Sequence, residues 1–345
     1  MIEVYTLEQA EKWDQIVRSF TNYDVYWLNG YVKAFKIHGD GEPLLYYYKD
    51  EQNRGINVVM KRDISADVNF IGKIEAGKYY DNSTSYGYGG WIVEVNQTDR
   101  LFNTYIECVR NDHIVSEFVR FHPMIINHES CRVFYEITEL GEVVHIPLDN
   151  PEAICGNLTS KNRNVIRKAI NNGVEIYNGR FPEIYEQFRK IYNATMDKDG
   201  AEDYYYFSQE FYESMLRALP ENAQMFWAEK DGTVIAASIM LEGNGFMNYH
   251  LSGSLREYSS LAPTNLLLYK AALWGCEHGL RTLYLGGGVG SGEDSLFKFK
   301  RAFYKSELHR YYIGRKVFDP DVYQELTMMR ADSIENVNFF PVYRG

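Results

Sequence analysis

The stretch from Ala223 to Ser254, AQMFWAEKDGTVIAASIMLEGNGFMNYHLSGS, constrains the fold more than any other part of the chain. It is rich in β-branched and aromatic residues and is interrupted twice, by Asp231-Gly232 and by Asn244-Gly245. Such pairs take up the positive φ angles of a tight hairpin turn at little steric cost. Three antiparallel strands in succession are therefore predicted. Pro263 then opens a helix, because proline suits a first turn, and Thr264 to Gly279 carries apolar residues at helical spacing. RTLYLGG reads as a short buried strand, Asp294 to Tyr304 as a helix and ELHRYYIGRKVF as a last strand.

Upstream, Leu7 to Phe20 reads as an amphipathic helix. Pro43 precedes two strands joined by a polar turn at Asn53–Gly55. The Gly- and Tyr-rich run from Ser85 to Val95 leads into a strand, and Thr98 to Asp112 into a helix that Thr98 can cap. Val115 to Pro123, RVFYEI and EVVHIPL are expected strands. Asp149-Asn150-Pro151 combines turn chemistry with a change of character and divides the chain into domains 1–150 and 151–345. Beyond it lie a basic helix ending near Gly173, a short strand, and helices near 181–195 and 208–218. Both halves run helix, strands, helix, strand, the pattern of a duplicated domain.

A length of 345 residues fits two such domains. The net charge of −11 excludes a protein that coats nucleic acid with its whole surface, while leaving room for a local basic patch. Four cysteines, at 108, 131, 155 and 276, form no pair with metal-ligand spacing, so reduced thiols and no metal are expected. The first residues lack the basic start and apolar run of a signal peptide, and no stretch approaches the ~20 apolar residues of a membrane span. The expectation is a soluble, cytoplasmic protein without a membrane span or a DNA partner.

The run LGGGVGSGED at 285–294 is not a Walker loop, since no lysine follows the last glycine. It is not a dinucleotide fingerprint either, because Ser291 stands where the third glycine belongs. A glycine-rich loop after a buried strand still lets a ligand approach backbone N–H groups. Serine-elbow and zinc-helix motifs are absent from the sequence. Of eight histidines, His122 and His250 stand at strand ends beside polar groups. Two basic clusters, one of Lys161, Arg163, Arg167 and Lys168, the other of Lys298, Lys300, Arg301 and Lys305, both fall in the C-terminal half. Each suits the phosphates of a nucleotide-sugar, of coenzyme A or of an RNA end.

Taken in order, several segments resemble the FemAB-like branch of the GNAT acyltransferase superfamily. SKNRNVIRKAINNGVEI resembles its basic opening helix, FWAEKDGTVIAASIML its central hairpin, and NYHLSGSLREYSSLAPTNLLLYKAALWGCEHGLRTLYLGGG its strand, loop, helix and strand core. SLFKFKRAF resembles a motif in which an FK pair precedes an aromatic-rich end; YGYGG at 86–90 and FVRFHP at 118–123 resemble a subgroup. The resemblance covers most of 80–310. It implies an α/β (α+β) fold of two GNAT-like domains, each a mixed, twisted sheet flanked by helices, with the acceptor cleft between them. It implies an N-acyltransferase moving an acyl or aminoacyl group to an amine on a cell-envelope glycan precursor or amino sugar. The co-substrate expected is acyl-CoA, a small donor that the acidic net charge and a missing heptad arm favour, with aminoacyl-tRNA in a peptidoglycan bridge aminoacyltransferase as the alternative, and no bound cofactor. SSLAPTN stands where many GNAT enzymes hold the pyrophosphate of coenzyme A, and the heptad arm of some relatives is lacking. A non-catalytic binder of a glycan or nucleotide-sugar, for which the 29 tyrosines are suited, is the rival reading.

By the same resemblance Lys300, in the FK pair, is the candidate catalytic cation, and Lys298 is its neighbour and control. Arg163, Lys168, Tyr205, Tyr206, His250, Ser252, Ser254 and Tyr258 are candidates for substrate binding. Tyr86, Tyr88, Arg120 and His122 are those of the N-terminal half.

Overall fold

Both predicted hairpin turns form as the dipeptides dictate. Asp231 and Gly232 adopt φ of 50° and 76°, Asn244 and Gly245 of 45° and 82°. These positive angles match the twist of the strands that they join. The computed structural model describes residues 1–94, 98–331 and 333–345; Val95, the end of one expected strand segment, lies outside them.

The chain divides into two compact units, 1–140 with 311–345, and 141–310. Its first part contains β1 (Ile2–Tyr5), α1 (Ala10–Arg18), α2 (Asn29–His38), β2 (Glu42–Lys49), β3 (Arg54–Asp63), β4 (Tyr80–Ser83), β5 (Ile92–Glu94), α3 (Asp99–Asn111) and β6 (Ile114–Arg120). Strand β7 (Glu136–Pro147) leads into the second unit. There follow α4 (Pro151–Asn157), α5 (Ser160–Asn171), β8 (Glu175–Gly179), α6 (Pro182–Asp199), α7 (Gln209–Ala218), β9 (Ala223–Lys230), β10 (Thr233–Gly243), β11 (Phe246–Ser254), α8 (Pro263–Glu277), β12 (Thr282–Gly286) and α9 (Ser295–Arg301). Strand β13 (His309–Val317) leads back to the first unit, which ends with α10 (Pro320–Met328).

The sequence alone divides the chain once, near Asp149. The structure instead returns residues 311–345 to the first unit, and side-chain chemistry explains why. Buried Asp81 accepts hydrogen bonds from Arg62 Nε and Arg344 Nε, each at 2.6 Å, and from Tyr343 at 3.1 Å. Burial pushes the Asp81 carboxyl up, but the two guanidiniums outweigh it and hold it below the usual carboxylate range. The ring of Tyr343 packs with Phe70, Ile64 and Leu326 in a separate small core. Two local expectations also change. Arg132–Tyr135 of RVFYEI turns rather than extends, so β7 begins only at Glu136. Thr98 occupies the cap position of α3 but makes no side-chain capping bond.

In the first unit β1, β2, β3, β4, β6 and β13 are successive neighbours, with β5 beside β3. Its apolar core gathers Tyr46, Trp91, Tyr105, Phe121 and Phe134. In the second unit the order is β7, β12, β11, β10, β9, β8. One face of this sheet is covered by α5 and α8, through Ile166, Ala169, Leu267, Ala271, Met240 and Leu285. Helix α6 lies against β10 and β11 so closely that a methyl group on Gly253 would stand 2.8 Å from the backbone of Tyr192. Both sheets are mixed and flanked by helices, as the resemblance implied. The four cysteines are free. Among the described residues no helix is long and apolar enough to cross a membrane.

Candidate functional site

The second unit has a split in its sheet. Strands β11 and β12 run parallel and pair only from Phe246–Thr282 to Asn248–Tyr284. Beyond that point β11 keeps pairing with β10 as far as Ser254, and β12 with β7 as far as Gly286. Ladder groups on the two facing edges are released there, at the carboxyl ends of parallel strands, where α/β sheets receive ligands.

A bulge shapes one lip of the split. Met240 pairs with Tyr249 and Ile239 with Leu251, so His250 is an extra residue in β11. Side chains of a strand alternate between faces, and an extra residue resets the alternation. Tyr249 and Ser252, three apart, therefore share one face with Ser238 and Met240. Ser238 Oγ donates to Ser252 Oγ at 2.8 Å, and both serines hydrogen-bond Tyr249. Burial pushes the Tyr249 hydroxyl up to about 12 and the His250 imidazole down to about 3, so Tyr249 stays protonated and His250 neutral at physiological pH.

The other lip is formed by the end of β12 and the glycine loop. Gly286 has φ of 81°, and a methyl group placed on it would stand 3.4 Å from Lys300 Nζ. Lys300 donates to Gly287 O at 2.7 Å. The side chain is 9% exposed, whereas Lys298 on the same helix is exposed. Burial pushes the Lys300 ammonium down to about 8, against the opposing charge of Asp294. Asp294 caps α9 through the Phe297 N–H at 2.8 Å and also accepts from Val289 N–H at 3.2 Å. A buried, protonated amine beside flexible glycine backbone is suited to stabilising negative charge that develops on a substrate oxygen.

Helix α5 joins this lip. Ala302 O, just after α9, accepts from Thr159 N at 3.0 Å and Asn162 Nδ2 at 3.3 Å, and Asn162 Oδ1 accepts from Asn265 Nδ2 at 2.9 Å. These bonds tie α5, α8 and α9 together and bring the two basic clusters into one region. Lys161, Arg167, Lys168, Lys298 and Lys305 are exposed. Arg163 turns inward and donates to Leu158 O at 2.6 Å and Ser160 Oγ at 3.0 Å.

The remaining sequence candidates have diverse settings. Ser254 N donates to Thr195 Oγ1 at 3.1 Å, and Tyr258 packs against the core under α8. Tyr206 donates to Asp197 at 2.7 Å, and Tyr205 packs edge-on to Tyr204. In the first unit His122 is wholly buried. Its Nδ1 accepts from Met124 and Ile125 N–H, each at 3.2 Å, so its Nε2 carries the proton and donates to Asp24 at 2.9 Å. Tyr88 packs on His122, Tyr26 and Tyr311, Tyr86 stacks on Phe35, and Arg120 lies over Phe118. His122, Tyr86 and Tyr88 thus build the packing around YGYGG. Among the described residues no group of three or more His, Cys, Asp or Glu side chains is placed to hold a metal ion. Sequence reasoning missed Tyr249, Asn162 and Asn265; a bulge leaves no mark in apolar periodicity, and Tyr249 looks like an alternating core residue.

A family model described as "Acetyltransferase (GNAT) domain" matches residues 160–301, the segment that contains the split and Lys300. The chain is 29% identical over 171 residues to a UDP-N-acetylmuramoylpentapeptide-lysine N(6)-alanyltransferase of Weissella viridescens. That match spans 48% of this chain and 49% of the relative, about half the length of each. The fold is similar to the crystal structure of FemX, with a TM-score of 0.68 at 13% identity over 94% of this chain and 99% of the other. It is also similar to a tandem GNAT protein from the clavulanic acid biosynthesis pathway, with a TM-score of 0.51 at 9% identity over 93% and 99%. Residues 160–301 thus match a GNAT acetyltransferase domain, about half of the chain is similar to an alanyltransferase, and the fold is shared with FemX.

Proposed function

We propose that the second unit transfers an aminoacyl group from an activated ester to an amine of a cell-wall precursor. The observation that carries this reading is the buried Lys300 ammonium, bonded only to a displaceable backbone carbonyl among its described contacts, at the end of the strand that leaves the split. The relative's alanyl transfer to a lysine N6 of UDP-N-acetylmuramoylpentapeptide supports the choice of donor group and acceptor. The exposed lysines and arginine of α5 and α9 support a donor with phosphates, for which aminoacyl-tRNA is the candidate.

In this reaction the neutral acceptor amine attacks the ester carbonyl carbon, and the C=O electron pair moves onto oxygen. Lys300 faces that oxyanion and leaves Gly287 O to do so. A well-placed donor of this kind contributes on the order of 3 kcal/mol to the transition state. Collapse breaks the carbon–oxygen bond to the leaving hydroxyl, and the proton lost by the attacking nitrogen balances that oxygen. The hydroxyls of Tyr249, Ser238 and Ser252 line the opposite lip and orient the substrate.

A second reading, acyl transfer from acyl-CoA, is favoured by the acetyltransferase description of the matched domain. The test incubates the protein with UDP-N-acetylmuramoylpentapeptide and either alanyl-tRNA or acetyl-CoA, and weighs the acceptor by mass spectrometry. An alanyl increment is expected. An acetyl increment alone would replace the first reading by the second, and an unchanged acceptor with both donors would refute both.

A further inference from the structure

Helix α9 has seven residues, yet its ends bear two charged groups that both turn back onto the loop before it. Lys300 holds the loop at Gly287 O, and Asp294 holds it at Val289 N–H. Between these anchors Gly288 lies so close that a methyl group would meet Gly292 O at 2.1 Å and Asp294 Oδ1 at 2.4 Å. Behind Gly287 stands the backbone of Glu142, whose carboxylate is paired with Arg310 at 3.5 Å and so is already compensated. Lys298, the neighbouring cation on α9, is exposed. Asp294 is the charged group whose field acts on Lys300.

We propose that Asp294 is the positioning residue of this site, latching the glycine loop onto α9 and setting its carboxylate on the same loop that Lys300 grips. This rests on the reading that Lys300 is the working cation. The arrangement has a chemical logic. An ammonium buried without a counter-charge discharges, whereas one locked in a direct ion pair is hard to redirect. Here the ammonium hydrogen-bonds a neutral carbonyl that a substrate oxygen can replace, while the carboxylate is occupied with backbone N–H groups of the loop and of the first turn of α9. The same carboxylate therefore sets both the shape of the loop and the charge beside it.

Asn caps a helix as well as Asp does but has a single acceptor oxygen, so Asp294→Asn keeps the bond to Phe297 N–H and removes both the charge and the hold on Val289 N–H, while Asp294→Ala removes the cap as well. Trace labelling of the intact protein with acetic anhydride between pH 6 and 11, read by mass spectrometry, reports the titration of Lys300 with Lys298 as internal standard. The wild-type midpoint is expected near 8. In Asp294→Asn it falls by about half a unit or more, the size of one partly screened charge contact. Thermolysin cleavage at Val289, which is 75% exposed, speeds up in both variants, since neither can accept from Val289 N–H and Phe297 N–H at once. A midpoint unmoved in Asp294→Asn, or a loop in Asp294→Ala as resistant as wild type, would overturn the proposal. Labelling needs no acyl transfer, so a moved midpoint without product sinks only the functional reading. Product with an unmoved midpoint sinks only the role of Asp294.

Discussion

Lys298 and Lys300 stand two residues apart on one short helix, the first exposed and the second 9% exposed with its ammonium on Gly287 O at 2.7 Å. Removing a desolvated cation in favour of a similar apolar shape is neutral or stabilising, whereas an exposed lysine contributes little either way. Lys300→Met is therefore expected to melt at or above the wild-type temperature at pH 7. Lys298→Met is expected to stay within about 0.5 kcal/mol of wild type. Thermal denaturation of the three proteins checks this, and a clear loss in Lys300→Met would mark Lys300 as a structural residue.

The same lysine makes stability depend on pH with a definite sign. Its value falls from 10.5 in the free side chain to about 8 in the fold. Between these limits the unfolded chain holds a proton that the folded chain has lost, so stability rises with pH through this window. The gain is at most about 3 kcal/mol for a buried group shifted this far. Urea denaturation at pH 7.5 and pH 10 should show it in wild type relative to Lys300→Met, which lacks the titrating group. Parallel pH profiles would contradict a desolvated lysine.

Glu117 in the first unit gives the opposite slope. Burial pushes its carboxyl up to about 7, despite hydrogen bonds from Tyr105 at 2.7 Å, Asn57 at 2.8 Å and Tyr135 at 3.1 Å. Between the free value of 4.5 and 7 the folded chain binds the extra proton, so stability falls as pH rises through that range. Glu117→Gln is expected to lack this fall and, at pH 8, to exceed wild type by up to about 3 kcal/mol. Chemical denaturation at pH 5 and 8 decides it; a less stable Glu117→Gln at pH 8 would show that the ionised carboxylate is the preferred form.

The glycine loop permits a steric test. A methyl group on Gly288 has no room beside Gly292 O and the Asp294 carboxylate, whereas one on Gly156 in α4 meets nothing within 4 Å. Gly288→Ala is expected to lower transfer activity about tenfold or more at a stability cost of about 1–2 kcal/mol, typical of overpacking. Gly156→Ala should be neutral or slightly stabilising, as alanine favours a helix. Equal activity in the two variants would remove the loop from the site.

The strand and helix order of the second unit was legible because its turns are encoded by dipeptides with unusual backbone preferences, Asp231-Gly232 and Asn244-Gly245. Lys298 and Lys300 each follow a phenylalanine, and the burial of the second could not be read from a sequence that offers four basic residues within eight positions. Tyr249 stayed hidden because the bulge at His250 is a property of pairing with β10, not of β11 alone. The return of the C-terminal segment to the first unit depends on Asp81 meeting Arg344 and Tyr343, more than 260 residues away. No local signal predicts such a contact.

Whether transfer depends on the Lys300 cation is read from the kcat/KM of alanyl transfer in wild type, Lys300→Met and Lys298→Met. A loss of about 100-fold or more is expected in Lys300→Met, near the roughly 3 kcal/mol of one oxyanion donor, with acceptor binding retained and Lys298→Met within a few-fold of wild type. A Lys300→Met enzyme that transfers alanine at the wild-type rate would contradict it.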